Sequence, residues 1–186
     1  MKRFFYAAVP AILFIATQSQ AGNKPGLWEM RITKNVVDGQ DHSTQMAGMN
    51  DQMQAAMAKM SPQQRAQMSA MMGSSGMAMS AQGAMQMCIT PDMAKRDVPV
   101  VVKDGACTPT NVQHNGNHMS YVFSCTSHGE TTSGKGEATT NGDTVSVSSD
   151  VTTKSARETH HIQTETQMRF VQSDCGSVKP LGGDRK

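Results

Sequence analysis

The stretch HIQTETQMRF, residues 161–170, decides the fold class. Ile162, Thr164, Thr166, Met168 and Phe170 fall on one side of it, and His161, Gln163, Glu165, Gln167 and Arg169 fall on the other. Such strict alternation is the period of a β-strand with one face toward a core and one toward water. The same texture extends backward along the chain. Met119, Tyr121, Phe123 and Cys125 alternate with polar neighbours, as do Val145 and Val147. His114-Asn115-Gly116-Asn117 joins two of these runs and Asn141-Gly142-Asp143 joins two more, and both are hairpin signals. Near the start, Leu27 to Thr33 sets Trp28, Met30 and Ile32 against Glu29, Arg31 and Thr33. Val36 and Val37 extend that run, and Asp38-Gly39 marks its turn. Five or six antiparallel strands, wetted on one face, follow from this pattern. The expected fold is mainly β, a curved antiparallel sheet or half-barrel.

A second texture interrupts the first. From about residue 41 to residue 87, Met, Ala, Gln and Ser replace Val and Thr. Met46, Met49, Met53, Met57 and Met60 are spaced by three or four residues, which puts them on one helical face roughly 80° wide. Ser61-Pro62-Gln63-Gln64 reads as a fresh start: Ser61 caps, Pro62 suits the first helical position, and Gln64 completes a capping box. Met68 and Met72 follow, with Gly73 placed to end the helix. Two short amphipathic helices are therefore expected, at 45–60 and 62–72, as a methionine-rich insert after the first strand. Residues 73–83, rich in Ser and Gly, read as a flexible return. Thr90-Pro91 signals a single helical turn ending near Arg96. Val98 to Val102 reads as an edge strand, confined there by Pro99.

The N-terminus has the parts of a secretory signal peptide. Lys2 and Arg3 precede an apolar run from Phe4 to Ala16, and Ser19-Gln20-Ala21 supplies small residues at a cleavage site. The apolar run is shorter than the ~20 residues a bilayer span needs, so no transmembrane anchor is expected after cleavage at Ala21. A single domain over 22–180 and a disordered tail over 181–186 complete the expected organisation. Loss of Lys2 and Arg3 from 17 basic residues balances the 15 acidic ones. A net-neutral chain without a basic cluster gives no footprint for nucleic acid.

Cys88, Cys107, Cys125 and Cys175 all lie beyond the cleavage point. An even count in an exported chain reads as two disulfides, with three possible connectivities. A three-residue hairpin loop at Asn115, Gly116 and Asn117 puts Cys107 opposite Cys125, whereas a two-residue loop would put it opposite Ser124. That register selects Cys107–Cys125 and leaves Cys88–Cys175. No CxxC spacing suggests a zinc knuckle or a redox pair.

Several local patterns coincide in order. Pro25-Gly26-Leu27-Trp28-Glu29 precedes Met60-Ser61-Pro62-Gln63-Gln64-Arg65, then Cys88-Ile89-Thr90-Pro91, the Cys107 to Cys125 hairpin, and Asp174-Cys175. This order resembles the bacterial exported proteins of the DUF 3617 family, over Lys24 to Ser177. The resemblance implies a small periplasmic domain with paired cysteines and no assigned activity. It carries over no catalytic residue. Where the family's last cysteine often follows Gly-Asp, here it follows Ser173-Asp174.

The candidate functional residues are Met46, Met49, Met53, Met57, Met60, Met68 and Met72. Thioethers suit Cu(I) or Ag(I), and pairs at i, i+3 or i, i+4 could reach one ion. The same spacing serves a packed helix face, because Met is a flexible filler of cores and adaptable surfaces. A greasy methionine face also suits a hydrophobic ligand or a partner protein. In the three-residue register His114 and His118 face each other, while His160 and His161 point to opposite faces of a strand. No nucleophile elbow, phosphate loop or zinc-protease motif occurs. The expectation is a non-catalytic periplasmic binding or interaction module without a cofactor. Its partner would be an unidentified periplasmic protein or hydrophobic ligand, with Cu(I) or Ag(I) binding as the alternative.

Overall fold

The computed structural model describes residues 24–74, 76–80, 83–95, 107–127 and 129–180, with the side chains at 69, 70, 72–74, 107 and 108 outside that description. The expected signal peptide, the strand at 98–102 and the tail at 181–186 also lie outside the described residues. Among the described residues nine strands form one open antiparallel sheet, more than the five or six read from alternation. They are β1 (Gly26–Val37), β2 (Gln40–Asp41), β3 (Met77–Met79), β4 (Met85–Ile89), β5 (Cys107–Asn115), β6 (His118–Ser127), β7 (Glu130–Asn141), β8 (Thr144–Lys154) and β9 (Thr159–Gln172). The order across the sheet is β3-β4-β1-β9-β8-β7-β6-β5, with β2 paired to β1. Helices α1 (Ser43–Ala58) and α2 (Pro62–Ser74) stand between β2 and β3, and α3 (Pro91–Ala94) follows β4.

The helix signals act as expected. Ser61 N–H donates to Gln64 Oε1 at 3.0 Å, and Gln64 N–H donates to Ser61 Oγ at 3.3 Å, closing the capping box that opens α2. Thr90 caps α3 through its hydroxyl, which accepts from Met93 N–H at 3.1 Å. Three boundaries of these two longer helices differ. Helix α1 starts at Ser43 and stops at Ala58, so Met60 lies in the connection, and α2 runs through Gly73 to Ser74.

The return after α2 is a larger correction. Instead of a flexible linker it contains β3, which pairs with β4 at Met77–Met87 and Met79–Met85. The stretch from 77 to 87, expected to belong to a helical insert, is therefore largely β-structure. Its signal is Met77-Ala78-Met79 and Met85-Gln86-Met87, two short period-2 runs.

The cysteine hairpin reaches the expected pairing by another route. Asn115 pairs with His118 across a two-residue turn at Gly116 and Asn117. Left alone, that turn would put Cys107 opposite Thr126. A register shift between Thr110 and Gln113 restores Cys107 opposite Cys125. Asn111 there adopts φ +54, the left-handed region a short amide side chain tolerates, as a bulge requires. The turn also separates the histidines, because His114 pairs with Met119 instead of facing His118.

The core lies at the β4-β1-β9 end. Trp28 is fully buried, and Met87, Ile89, Met93, Ala138 and Val145 pack with it. Phe170 meets Trp28 edge-on at 5.5 Å between ring centroids. On the opposite face, Leu27, Ala78 and Cys88 are covered by Val178 and Cys175 of the C-terminal segment. Cys88–Cys175 is bonded, with Cα atoms 5.4 Å apart, and ties β4 to that segment. Farther along the sheet, Gly136 leaves room for a ring: a Cβ there would sit 2.3 Å from Tyr121. The face carrying Trp28 is called the core face below.

Candidate functional site

Helix α1 is rooted on the core face by polar contacts. A bulge between Ile32 and Lys34 lets Asn35 join Ile32 on that face, opposite Thr164. Asn35 O accepts from His42 N–H at 2.8 Å, and Asn35 N–H donates to Ser43 Oγ at 2.9 Å. Asp41 Oδ1 accepts from Ser43 N–H at 2.8 Å. Hydrogen bonds from Ser43 hold the Asp41 carboxyl below its ordinary value. The Asn35 amide then donates to Met46 Sδ at 3.2 Å, while Asn35 Oδ1 is buried without a partner among the described residues. Farther along α1, Gln54 fills the space above Gly83, where a Cβ would lie 2.5 Å from its side chain.

The methionines divide unequally. No residue of α1 is buried. Its half-buried line is Met46, Asn50, Gln54 and Met57, so Met49 and Met53 turn outward at 63% and 45% exposure. Met60 and Met68 are half-buried, and the Met72 side chain lies outside the description. Met71, which the spacing argument passed over, is 77% exposed. Strand β3 and strand β4 add Met77 and Met85, exposed at 41% and 37%. Methionine thus continues from the helices onto the edge of the sheet.

The rest of the core face is methyl-rich and only partly covered. Val147, Val151, Ile162, Thr164 and Thr166 are half-buried, and Ile32 is 41% exposed. Its hydroxyls pair among themselves: Thr132 Oγ1 lies 3.2 Å from Thr153 Oγ1, and Ser149 Oγ lies 2.6 Å from Thr164 Oγ1.

A polar cluster closes the far end of β1 and β9. His160 and His161 point to opposite faces, as expected. Asp38 Oδ1 accepts from His161 N–H at 2.7 Å, and Asp38 Oδ2 lies 2.8 Å from His160 Nδ1. His160 Nε2 is 3.4 Å from Glu158 Oε1. On the other face His161 Nε2 lies 2.6 Å from Asp150 Oδ1. The bond to Asp38, then that to Glu158, raises His160 above its ordinary value; the His160 bond in turn lowers Asp38. Asp150 is lowered first by its bond to His161 and then by that to Gln163. These histidines pair with separate carboxylates, and no group of three or more His, Cys, Asp or Glu side chains among the described residues forms a metal cage.

No described helix is long and apolar enough to cross a membrane. A family model described as "Protein of unknown function (DUF3617)" matches residues 23–175. No curated protein and no solved structure matches the chain.

Proposed function

The chain belongs to the DUF3617 family, and from that premise we propose a non-catalytic binding module of the periplasm, exported by a signal peptide cleaved after Ala21. The Cys88–Cys175 bond fits an oxidising compartment. Cys107 and Cys125, opposite each other on β5 and β6, form a second bridge in this reading. The ligand is apolar, and it is held between the methionine helices and the core face of the sheet.

One observation carries the proposal. The helices expose Met49, Met53 and Met71 beside a core face of half-covered methyl groups, and a large apolar surface of this kind marks an interaction site. Flexible thioethers adapt to ligands of varied outline.

The test uses the exported, oxidised protein and the apolar fluorophore Nile red. Saturable binding of one equivalent is expected, weakened at least tenfold by Met49→Lys with Met53→Lys. Replacing Met49, Met53 and Met57 by leucine should largely preserve it. Binding that the lysines leave unchanged would sink the role of the helical arm formed by α1 and α2. Loss of Ag(I) binding in the leucine variant, with no Nile red site in the parent, would favour the soft-metal alternative on these helices.

A further inference from the structure

Four methionines from four neighbouring strands form a continuous row on the core face. Met79 of β3 pairs with Met85 of β4, Met85 pairs with Met30 of β1, and Met30 pairs with Met168 of β9. Each pairing is direct, so all four side chains leave the same side of the sheet. Met77 and Met87 pair in the neighbouring row, and Met87 lies beside Trp28. The row is neither sealed nor fully wet: Met85 is 37% exposed, and Met79, Met30 and Met168 are half-buried.

We propose that this row, independently of the apolar site above, binds one soft monovalent cation, Cu(I) or Ag(I), through the thioethers of Met79, Met85 and Met30, with Met168 as an alternative third ligand.

Three features support the site. Thioether sulfur is a soft donor that favours Cu(I) over hard or borderline cations. Side chains directly opposite on adjacent strands have Cβ atoms about 4.5–5.5 Å apart. Metal–sulfur bonds of about 2.3 Å place trigonal sulfurs about 4 Å apart, a gap that the three rotatable bonds of Met can close. The ladder hydrogen bonds of four strands hold this spacing before any ion arrives, so little ordering remains to be done on binding. The arm is less suited: Met49 and Met53 are exposed to competing water, and the Met46 thioether already accepts from Asn35.

A packing role alone predicts a different chemistry. Met30 and Met168 touch the Trp28 core cluster, and leucine would serve that contact as well as methionine. The discriminating experiment labels the methionine ε-methyl groups with carbon-13 in the exported, oxidised protein and titrates Ag(I), a redox-inert stand-in for Cu(I). One equivalent should shift the methyl signals of Met79, Met85 and either Met30 or Met168, leaving Met49, Met53 and Met71 in place. Met79→Leu with Met85→Leu, both at partly exposed positions, should weaken Ag(I) binding at least tenfold while the remaining methyl spectrum stays folded. Absence of binding at micromolar Ag(I) overturns the proposal. So do shifts confined to the helical methionines, or unchanged affinity in the folded double leucine variant. Nile red binding is read separately, so either site can fail without the other.

Discussion

Met87 on β4 and Met53 on α1 are the same residue in opposite situations. Met87 is 5% exposed and Met53 is 45% exposed. In the sheet, backbone pairing chooses the neighbours: Met87 stands between Met77 and Trp28 because β4 is bonded to β3 and β1. In α1, the methionine stripe is offset from the line that meets the sheet, where Asn50 and Gln54 take half of the contact. An apolar face is covered only if another element presents a matching surface. The stapled sheet supplies one at its β4-β1-β9 end, and little of it reaches the arm.

The sharpest way to break this contrast is to delete side chains on both sides of it. Trp28→Ala should cost about 3–5 kcal/mol of unfolding free energy, because a fully buried ring leaves a cavity among Met87, Ile89 and Phe170. Met53→Ala should stay within about 0.5 kcal/mol, as for an ordinary surface position. Urea unfolding followed by circular dichroism measures both. A loss above about 2 kcal/mol at Met53 would show that the arm is covered in solution by something that its exposure does not reveal.

The staple is next in size. Cys88 and Cys175 are separated by 87 residues, so the bridge removes a large closed loop from the unfolded chain. Loop entropy assigns it about 4.6 kcal/mol, within a usual range of about 2–5. Cys88→Ala with Cys175→Ala should lower the urea midpoint accordingly. Hydrogen exchange should quicken most in β3 and β4, which the C-terminal segment secures through Val178 and the Cys88–Pro180 bridge. Uniform quickening across β5 to β8 would mean that the bridge stabilises the sheet as a whole.

What was legible in the amino-acid sequence follows the same division. Alternation in β9 and in β1, which ends at the Asp38-Gly39 turn, is a local signal, and both strands appear where the pattern put them. Capping at Ser61 and Thr90 is equally local. The hairpin loop was not legible, because its length and the bulge at Asn111 compensate each other and only the sum is visible in the cysteine spacing. Strand β3 escaped because three residues between Ser and Gly carry too short a period to register. The methionine row escaped for a different reason. Its members are far apart in sequence, and only the strand order β3-β4-β1-β9 brings them together.

The bulge yields a smaller and cleaner test. Strand β5 uses nine residues from Cys107 to Asn115 against eight from His118 to Cys125, so deleting Asn111 equalises the two sides and lets an unbulged ladder behind the same turn keep Cys107 opposite Cys125. The turn is expected to hold, since Gly116 already has φ +61 in it. If the proposed Cys107–Cys125 bridge forms, thiol titration of the denatured, unreduced deletion variant should therefore still find no free group. Two free thiols would show that the bulge is needed to bring the two cysteines together.

The smallest expected effect lies at the arm's root, where charge takes the place of apolar cover. His160 has a carboxylate at each ring nitrogen, Asp38 at 2.8 Å and Glu158 at 3.4 Å. Only the imidazolium donates from both nitrogens; neutral imidazole turns a lone pair toward one carboxylate. This geometry agrees with a folded-state value raised above 6.5, caused first by Asp38 and then by Glu158. The stabilising contribution of a raised histidine is complete below 6.5 and is lost as pH climbs through the raised value. Asp38 works the other way: its value lies below 3.8, so its contribution is present above 3.8 and is lost as pH falls through the lowered one. The contact is therefore strongest between those limits. A nuclear magnetic resonance titration should place His160 above 6.5, and Asp38→Asn should return it toward that figure. Because both side chains are about half exposed, solvent screening keeps the effect on global stability slight. Amide exchange at Asp38, whose N–H donates to His161 O at 2.8 Å, reports the change locally. Faster exchange there above the His160 midpoint, beyond the intrinsic rise with pH and absent in His160→Gln, is the expected sign that the turn leading into α1 is held by charge. An Asp38 amide indifferent to His160 would leave the backbone ladder alone holding the arm.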